Sequence, residues 1–506
     1  FILSLLPLLS FSSFACTPVF LLLWALYFSI VSVGGPWYGF GWESQLLETG
    51  FLAAFSVPFA PATVMSACTS AFSSSPPLSS FFMQLTAAPP SWFPLLMFRW
   101  LLFRIMIGSG LIKLQPSASR CWRCWRKGQK SCMEFFYETQ PLPTPLARHL
   151  HFMPSWFHTG ATYTNHAAEL ALSFLLLLPP ITPLFMSLSR FCGVAQLSFQ
   201  GMLIACGNLS FLNHLTMLPA LWCLDDQFFQ TAFEATAKGL NRLPFIGSLR
   251  LLRAGPSEAT VAVATNAAST AAAAAAAAAG SSAAIEPLWN LLQKHGFHAA
   301  LTLLLVKLSA PAAANLVVPW LRNSSGGKGN KKQVMNGSFN RWRLMNAYGA
   351  FGFVGDVRDE IVVSGTRNKD PSNAEANEWR EYTFAALPSG DNMNRRLPWP
   401  LAPYHHRLDW CLWLANLQSP TQTKWLPALL LKLLKNDPDT TALLAQNGNP
   451  FSDGDPPLFL KVERYRYSFT KPGKKTEALD SEQAWYRERI GWYFPRQPIY
   501  SAVMLE

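Results

Sequence analysis

The stretch FPLLMFRWLLFRIMIGSGLIKL, residues 93–114, decides how the rest of the chain is read. About 20 predominantly apolar residues at 1.5 Å rise are needed to cross a hydrocarbon core. The run meets that length and reads as a membrane-spanning helix. Arg99, Arg104 and Lys113 punctuate it, and ionisable groups at membrane depth are costly unless partnered. Glu43 and Glu48, just after the preceding apolar segment, are the partners the sequence offers. Structural pairing or snorkelling of the cations to the interface competes with a functional role for all five.

Working outward, further apolar segments cover Pro18–Val33, Phe51–Phe72 (broken by Pro58 and Pro61), Ala167–Leu188 (kinked or interrupted at Pro179 and Pro180), Phe191–Leu224 (one tilted helix or two short ones) and His298–Trp320. Roughly five to seven spans are expected within residues 1–322. Composition agrees: half of the 506 residues are hydrophobic, and only 14% are charged. An average soluble domain carries about a quarter charged residues. The first residue is Phe1, so the sequence reads as a fragment with an upstream segment missing. Residues 254–284 hold an alanine-rich run, which reads as a low-complexity insertion in a loop. Residues 323–337 are polar, glycine-rich and basic, and read as a linker. Two glycosylation triplets begin there, at Asn323 and Asn336, and favour a luminal side.

From residue 338 to 506 the pattern changes to a soluble α+β domain containing a β-sheet. Asp356–Thr366, Trp379–Phe384 and Leu458–Phe469 read as extended, with Tyr465, Tyr467 and Phe469 on one face of the pleat and Arg464 and Arg466 on the other. Lys424–Lys435 reads as a helix, with another at Thr440–Gln446. The expected fold class is therefore an α-helical multi-pass membrane domain followed by this soluble unit.

The net charge of +12 is concentrated in two knots, one at Arg120, Arg123, Arg126, Lys127 and Lys130 and one at Lys328, Lys331 and Lys332. Basic knots beside spans are ordinary membrane-flanking features. No nucleic-acid-binding motif accompanies them, so nucleic acid is excluded as a partner. Most of the nine cysteines lie in apolar stretches and read as small hydrophobes. Cys121, Cys124 and Cys132 are different. They share one loop, where a local disulfide joins Cys132 to Cys121 or Cys124 if the loop is luminal. The adjacent basic knot argues for the opposite, cytosolic side.

His166 and Glu169 lie three apart, so on a helix they share a face, and both join the intramembrane polar candidates. His149, His151 and His158 precede them, yet no zinc-type spacing is present, so neither a metal nor a cofactor is called for. In the soluble part, Tyr404, His405, Arg407, Asp409 and Trp410 form one polar-aromatic block, without a nucleophile elbow. With Tyr465 and Tyr467 they suit either a core or a client-binding face, because Trp, Tyr and Arg are enriched at hot spots.

Several blocks in order resemble the lipase maturation factors. They are Gly41–Leu52, Phe98–Arg104 running on to Gly110–Lys113, Tyr137–Pro143, Asn165-His166 with Glu169, and Gly207–Asn213 leading to Asp225-Asp226. The soluble part adds Asn346–Gly352, Trp379–Tyr382, Pro403–His405 with Arg407–Trp410, Asn449–Phe451 and Tyr465–Tyr467. The resemblance implies a multi-pass endoplasmic reticulum glycoprotein with a luminal C-terminal domain. It also implies a chaperone-like role in folding and assembling secreted lipases, alongside the reticulum's folding machinery and membrane lipids, without hydrolase activity of its own. The alanine-rich insertion and the repeated Cys-Trp-Arg at Cys124–Arg126 depart from the family pattern. Two alternatives rest on the charged spans: an intramembrane enzyme acting on a lipid or modified peptide, and a structural subunit of a membrane assembly.

Overall fold

The computed structural model describes residues 16–59, 92–126, 128–179, 181–240, 288–324, 333–390, 403–472, 483–494 and 499–505. The apolar run beyond residue 59, the alanine-rich segment and residues 325–332 of the linker lie outside them, as do Cys68, Lys127, Lys328, Lys331 and Lys332.

The helical part contains α1 (Thr17–Val33), α2 (Gly41–Ala54), α3 (Trp92–Leu114), the short α4 (Met133–Thr139) and α5 (Pro145–His151), and α6 (Ser155–His166). A π-helical turn at Ala167–Ala171 leads into α7 (Leu172–Leu175). Then come α8 (Pro183–Cys206), α9 (Leu212–Leu221), α10 (Asp226–Leu240) and α11 (Leu288–Ser324). Thr144 caps α5 and Thr182 caps α8, each with a proline in the first turn, where the missing N–H costs nothing.

Two helices among the described residues are long and apolar enough to cross a membrane, Trp92–Leu114 and His295–Val317. Two expected segments divide at breaks the sequence allowed, and one helix, Pro183–Cys206, straddles the boundary between them. Ala167–Leu188 is split, because helix from Ser155 ends at Leu175 and a new one starts at Pro183. Phe191–Leu224 breaks at Gly207, which ends α8 in extended conformation. A Cβ there would lie 2.0 Å from Gln140 Oε1, so only glycine admits that side chain. The Gln140 amide uses the space to donate to the Cys206 carbonyl, 2.9 Å away.

Successive helices run back and forth between two ends of the bundle. At one end Thr17 donates to the Pro58 carbonyl, Phe55 meets Phe297, and Phe93 meets His298. Arg99 binds the carbonyls of Leu178 and Trp222 at this same end. At the other end lie the turn after α1, the loop after α3, the α5–α6 junction and the α8–α9 break. All of these touch residues beyond 345. The helices expose apolar side chains outward: Leu22, Leu23 and Leu26 on α1, Leu184, Phe191 and Met202 on α8, and Leu303, Leu304 and Val306 on α11. An apolar belt of that extent marks a lipid-facing or protein-facing surface.

The C-terminal region is a five-stranded antiparallel sheet among the described residues, after a two-residue ladder of β1 (Gly337–Ser338) with β2 (Asn346–Ala347). Strand β3 (Arg358–Thr366) lies between β4 (Arg380–Glu381) and β5 (Phe459–Phe469). The other edge of β5 carries β6 (Trp485–Trp492) and β7 (Ile499–Tyr500). Helices α12 (Arg407–Asn416) and α13 (Leu426–Leu434) cover one face, burying Ile361, Val363, Leu460 and Val462 under Leu412, Leu430 and Leu433. Tyr467 and Phe469 point to the opposite face and pack on Trp485. The segments expected at Asp356–Thr366 and Leu458–Phe469 become β3 and β5 almost in full, whereas Trp379–Phe384 supplies only the two-residue β4. The helix expected at Thr440–Gln446 instead runs Pro438–Thr441, because Asp437 caps it at the Thr440 N–H.

Between the two parts, residues 345–348 insert among the helices, where Met345 and Tyr348 join the core of α3, α8 and α11. Non-helical backbone is tolerated at such depth only when protein surrounds it. Gly108 of α3 makes the room, since a Cβ there would lie 2.3 Å from the Tyr348 carbonyl oxygen. Gly108→Ala is therefore expected to overpack this contact and lower stability by about 1–3 kcal/mol. Thermal unfolding of the purified protein in detergent reads it, and an unchanged midpoint would argue against the insertion.

Candidate functional site

The polar residues picked out from the sequence gather in two knots inside the bundle and one seam between its end and the sheet. In the first knot Glu48, fully buried on α2, pairs with Arg104 of α3. Its carboxylate also accepts from the Asn346 backbone N–H at 3.1 Å, the Asn346 amide at 2.9 Å and the Tyr348 hydroxyl at 2.8 Å. Arg104 returns a bond to the Asn346 carbonyl at 2.8 Å. In the second knot Lys113 Nζ binds Glu169 and, at 2.9 Å, the Asn165 side chain, with its ammonium over the Trp122 ring. The π-turn lets Ser173 bond back to the Glu169 carbonyl, and His166 Nε2 donates to the Trp122 carbonyl at 2.9 Å.

Arg99 takes a different role from the one its neighbours suggest. Among the described residues it pairs with no carboxylate and bonds instead to Leu178 O, Trp222 O and Ser189 Oγ, tying the ends of α7, α8 and α9 together. The last four carbonyls of a helix have no partner within it, and guanidinium supplies several donors at once.

Glu43 finds its partner outside the bundle. Arg407 Nη1, on the first turn of α12, lies 2.6 Å from Glu43 Oε1 and 2.7 Å from the Trp37 carbonyl, with its guanidinium stacked 3.8 Å over Tyr38. Tyr27 of α1 donates to the same carboxylate. Beside it Phe40, Trp42 and Trp410 enclose His405, whose ring nitrogens are both buried without a hydrogen bond. Burial, then the Arg407 and His406 charges, push the His405 imidazole down to about 3. Glu43 lies 3.8 Å from His405 Nδ1, but its charge is already committed to Arg407 and Tyr27.

The seam continues through residues that sequence reading left unassigned. Arg358 of β3 donates to the carbonyls of Glu138, Gln140 and Pro141 at the end of α4, and stacks on Trp485. Arg148 of α5 donates to Thr470 O at 2.8 Å. Arg358 thereby complements the carbonyl-rich C-terminus of α4, while Arg148 meets the chain just past the end of β5. Their only sequence signal was proximity to blocks that looked distinctive.

Of the residues offered as client-facing, Asp409 is buried and accepts from the Ala386 and Leu387 N–H groups, which fixes the loop there. Burial raises its carboxyl above the usual range. Trp410 and Tyr467 are core residues, and Tyr465 is half-buried under Arg487. Tyr404 alone of this set is exposed, at 64%. Cys121 and Cys132 form a disulfide, while Cys124 is free. Asn323 falls in the last turn of α11; Asn336 is exposed with φ of 52°. No cluster of metal-ligating side chains occurs among the described residues. Glu48, Arg104, Lys113 and Glu169 are engaged with one another, Glu43 with Arg407, and Arg99 with backbone carbonyls.

The two halves match two family descriptions, the lipase maturation factor transmembrane domain over residues 1–231 and the lipase maturation factor C-terminal domain over residues 344–495. The chain is a membrane protein, and it belongs to the lipase maturation factor family. Lipase maturation factor 1 of Bos taurus is 38% identical over 94% of this chain and 70% of its own length. The Homo sapiens protein of that name is 37% identical over 94% and 69%. Lipase maturation factor 2 of Homo sapiens is 28% identical over 94% and 68%. No solved structure matches.

Two outcomes are expected. Arg104→Met strands the buried Glu48 carboxylate and should cost about 3–5 kcal/mol. Glu48→Gln with Arg104→Met should cost less than the sum of the singles, as a double-mutant cycle on thermal unfolding would reveal. His405 is neutral in the fold and takes up a proton only on unfolding below its ordinary value near 6.5. Its contribution is therefore present above pH 6.5 and is lost as pH falls from there toward 3. His405→Gln should flatten the pH dependence of stability between pH 6 and 5 by about 1.4 kcal/mol per pH unit; parallel curves for the two proteins would contradict the neutral, unpaired imidazole.

Proposed function

We propose that this chain is a multi-pass protein of the endoplasmic reticulum membrane that assists the folding and assembly of secreted lipases. The observation that carries this reading is the relationship to proteins named for lipase maturation, at 37–38% identity across 94% of the chain and through both halves. The engagement of the polar groups with one another supports a folding factor over an intramembrane enzyme.

Further passes beyond the two long apolar helices are favoured by the outward leucines and phenylalanines of α1 and α8, which would otherwise face water. A luminal C-terminal region is favoured by the disulfide, because disulfides persist in oxidising compartments. The disulfide loop touches that region directly: Ser119 Oγ donates to Val354 O at 3.0 Å and Trp122 Nε1 to Phe351 O at 2.8 Å. Loop and sheet therefore share a side of the bundle. This weighs against the cytosolic placement suggested by the basic knot alone.

The test is complementation. In cells lacking their own lipase maturation factors, this chain should restore secretion of active lipase at least several-fold, with no change in lipase transcript. Lipase retained and inactive despite good expression of the chain would overturn the assignment. In the same cells Asn336 should carry a glycan removable by endoglycosidase and absent from Asn336→Gln; an unmodified, cytosol-accessible Asn336 would place the C-terminal region on the other side.

A further inference from the structure

The loop that follows α3 is held at a defined level of the bundle. Lys113, in the last turn of α3, is locked to Glu169, and the Trp122 carbonyl accepts from His166 beside it. The loop therefore starts where the apolar run of α3 stops, at the edge of the hydrocarbon layer. The disulfide from Cys121 to Cys132, the Cys132 N–H bond to the Cys121 carbonyl at 3.3 Å and the buried Trp122 side chain close it into a compact unit.

What this unit shows to its surroundings is unusual in composition. Arg120, Arg126 and Lys130 are exposed, Arg123 is half-buried, and no carboxylate partners any of the four among the described residues. Trp125 stands between them at 50% exposure, its ring edge against His166. Along the neighbouring α6, Trp156 is 72% exposed and Tyr163 47% exposed. Below them the outer surface becomes purely apolar, with Phe174 and Leu177 exposed. Tryptophan and tyrosine with one wet and one apolar edge favour the headgroup layer. Cations without a carboxylate partner at that depth attract anionic headgroups.

We propose that residues 120–126 and 128–130, with Trp125 as the wedge and Arg120, Arg126 and Lys130 as the cationic rim, form a headgroup-binding surface for anionic phospholipid. The leaflet concerned is the one on the side of the C-terminal region. Charge complementarity and continuity with the apolar belt identify the occupant: Asp356 lines the same hollow as Arg120 and Lys130 but pairs with neither, which leaves the rim net cationic, and its lower edge runs into lipid-facing side chains. The inference rests on the membrane reading of the family's helical part. It adds a defined lipid class and a defined contact, which would hold the loop, and the Val354 and Phe351 backbone bonded to it, at a fixed height above the bilayer.

The experiment uses the full chain in nanodiscs containing phosphatidylcholine with a minor fraction of phosphatidylserine. A photoactivatable group is carried on one lipid or the other, and the labelled peptides are mapped by mass spectrometry. Phosphatidylserine should label residues 120–130 preferentially, by a factor of about 5 per engaged cation, and the preference should fade at high salt. Arg120→Gln with Arg126→Gln and Lys130→Gln should abolish the preference. Arg120→Lys with Arg126→Lys should keep it, which separates lost charge from lost folding. Equal labelling by both lipids in the unmodified protein would overturn the proposal, as would labelling confined to other segments. Release of the chain from native membranes by alkaline carbonate would instead sink the membrane reading beneath it.

Discussion

One buried carboxylate sets the terms for the rest of the molecule. Glu48 sits at the depth of the middle of α3, where an unpartnered charge would be costly. It is satisfied only when three pieces meet: Arg104 from α3, and the Asn346 backbone and side chain with the Tyr348 hydroxyl from beyond the last long helix. Residues almost 300 positions apart in sequence must therefore arrive together. A hydrophobic contact could slide by a turn and keep most of its energy, whereas this geometry admits one register. Whether such a pair adds net stability over an apolar substitute is a separate matter; its consequence for uniqueness is direct.

With α2, α3 and segment 345–348 fixed, the C-terminal sheet has a limited choice of positions. It comes to rest across the ends of the helices, where loops carry unsatisfied carbonyls, and it meets them with arginines. Arg358 reaches the end of α4, and Arg407 reaches Trp37 and Glu43. In the opposite direction, Arg148 of α5 reaches Thr470. Aromatic packing fills the space between, with Trp42, Phe40 and Trp410 around a neutral His405 and Trp37 against Trp425. The core of the sheet region accordingly contains Trp42, Leu142 and Leu209 from the helical part. A client held by the C-terminal region would be held by a surface rigidly coupled to the membrane helices.

This coupling also explains the fate of the aromatic and charged block around residue 404. Trp410, Asp409 and His405 are distinctive because they build the seam, and the surface open to a partner lies elsewhere. Exposed apolar side chains on the sheet side include Phe353, Leu417 and Tyr486, along with Tyr404. They lie on loops or sheet edges, where a rigid scaffold can present them without burying its own backbone groups.

The amino-acid sequence by itself determined the division into an apolar helical part and a sheet-bearing part, because span length and strand alternation are local properties. Residues 93–114 and 459–469 were legible for that reason, and so was the family, since its blocks are continuous short strings. The intramembrane charges were also visible as a set, because charge in an apolar run stands out wherever it goes. Their pairing was not. Glu43 and Glu48 look like equivalent partners for Arg99, Arg104 and Lys113, yet only Glu48 to Arg104 forms among those choices. Glu169 takes Lys113, Arg407 takes Glu43, and Arg99 takes carbonyls. Pairing is decided by which groups share a depth and a face after the helices pack, and helix ends such as the break at Gly207 depend on a side chain from another element. The disulfide loop carries the same lesson: its cysteines and its basic residues give opposite cues about sidedness when read locally. Contact with residues 351–354 shows which neighbours it shares, and only the folded chain contains that contact.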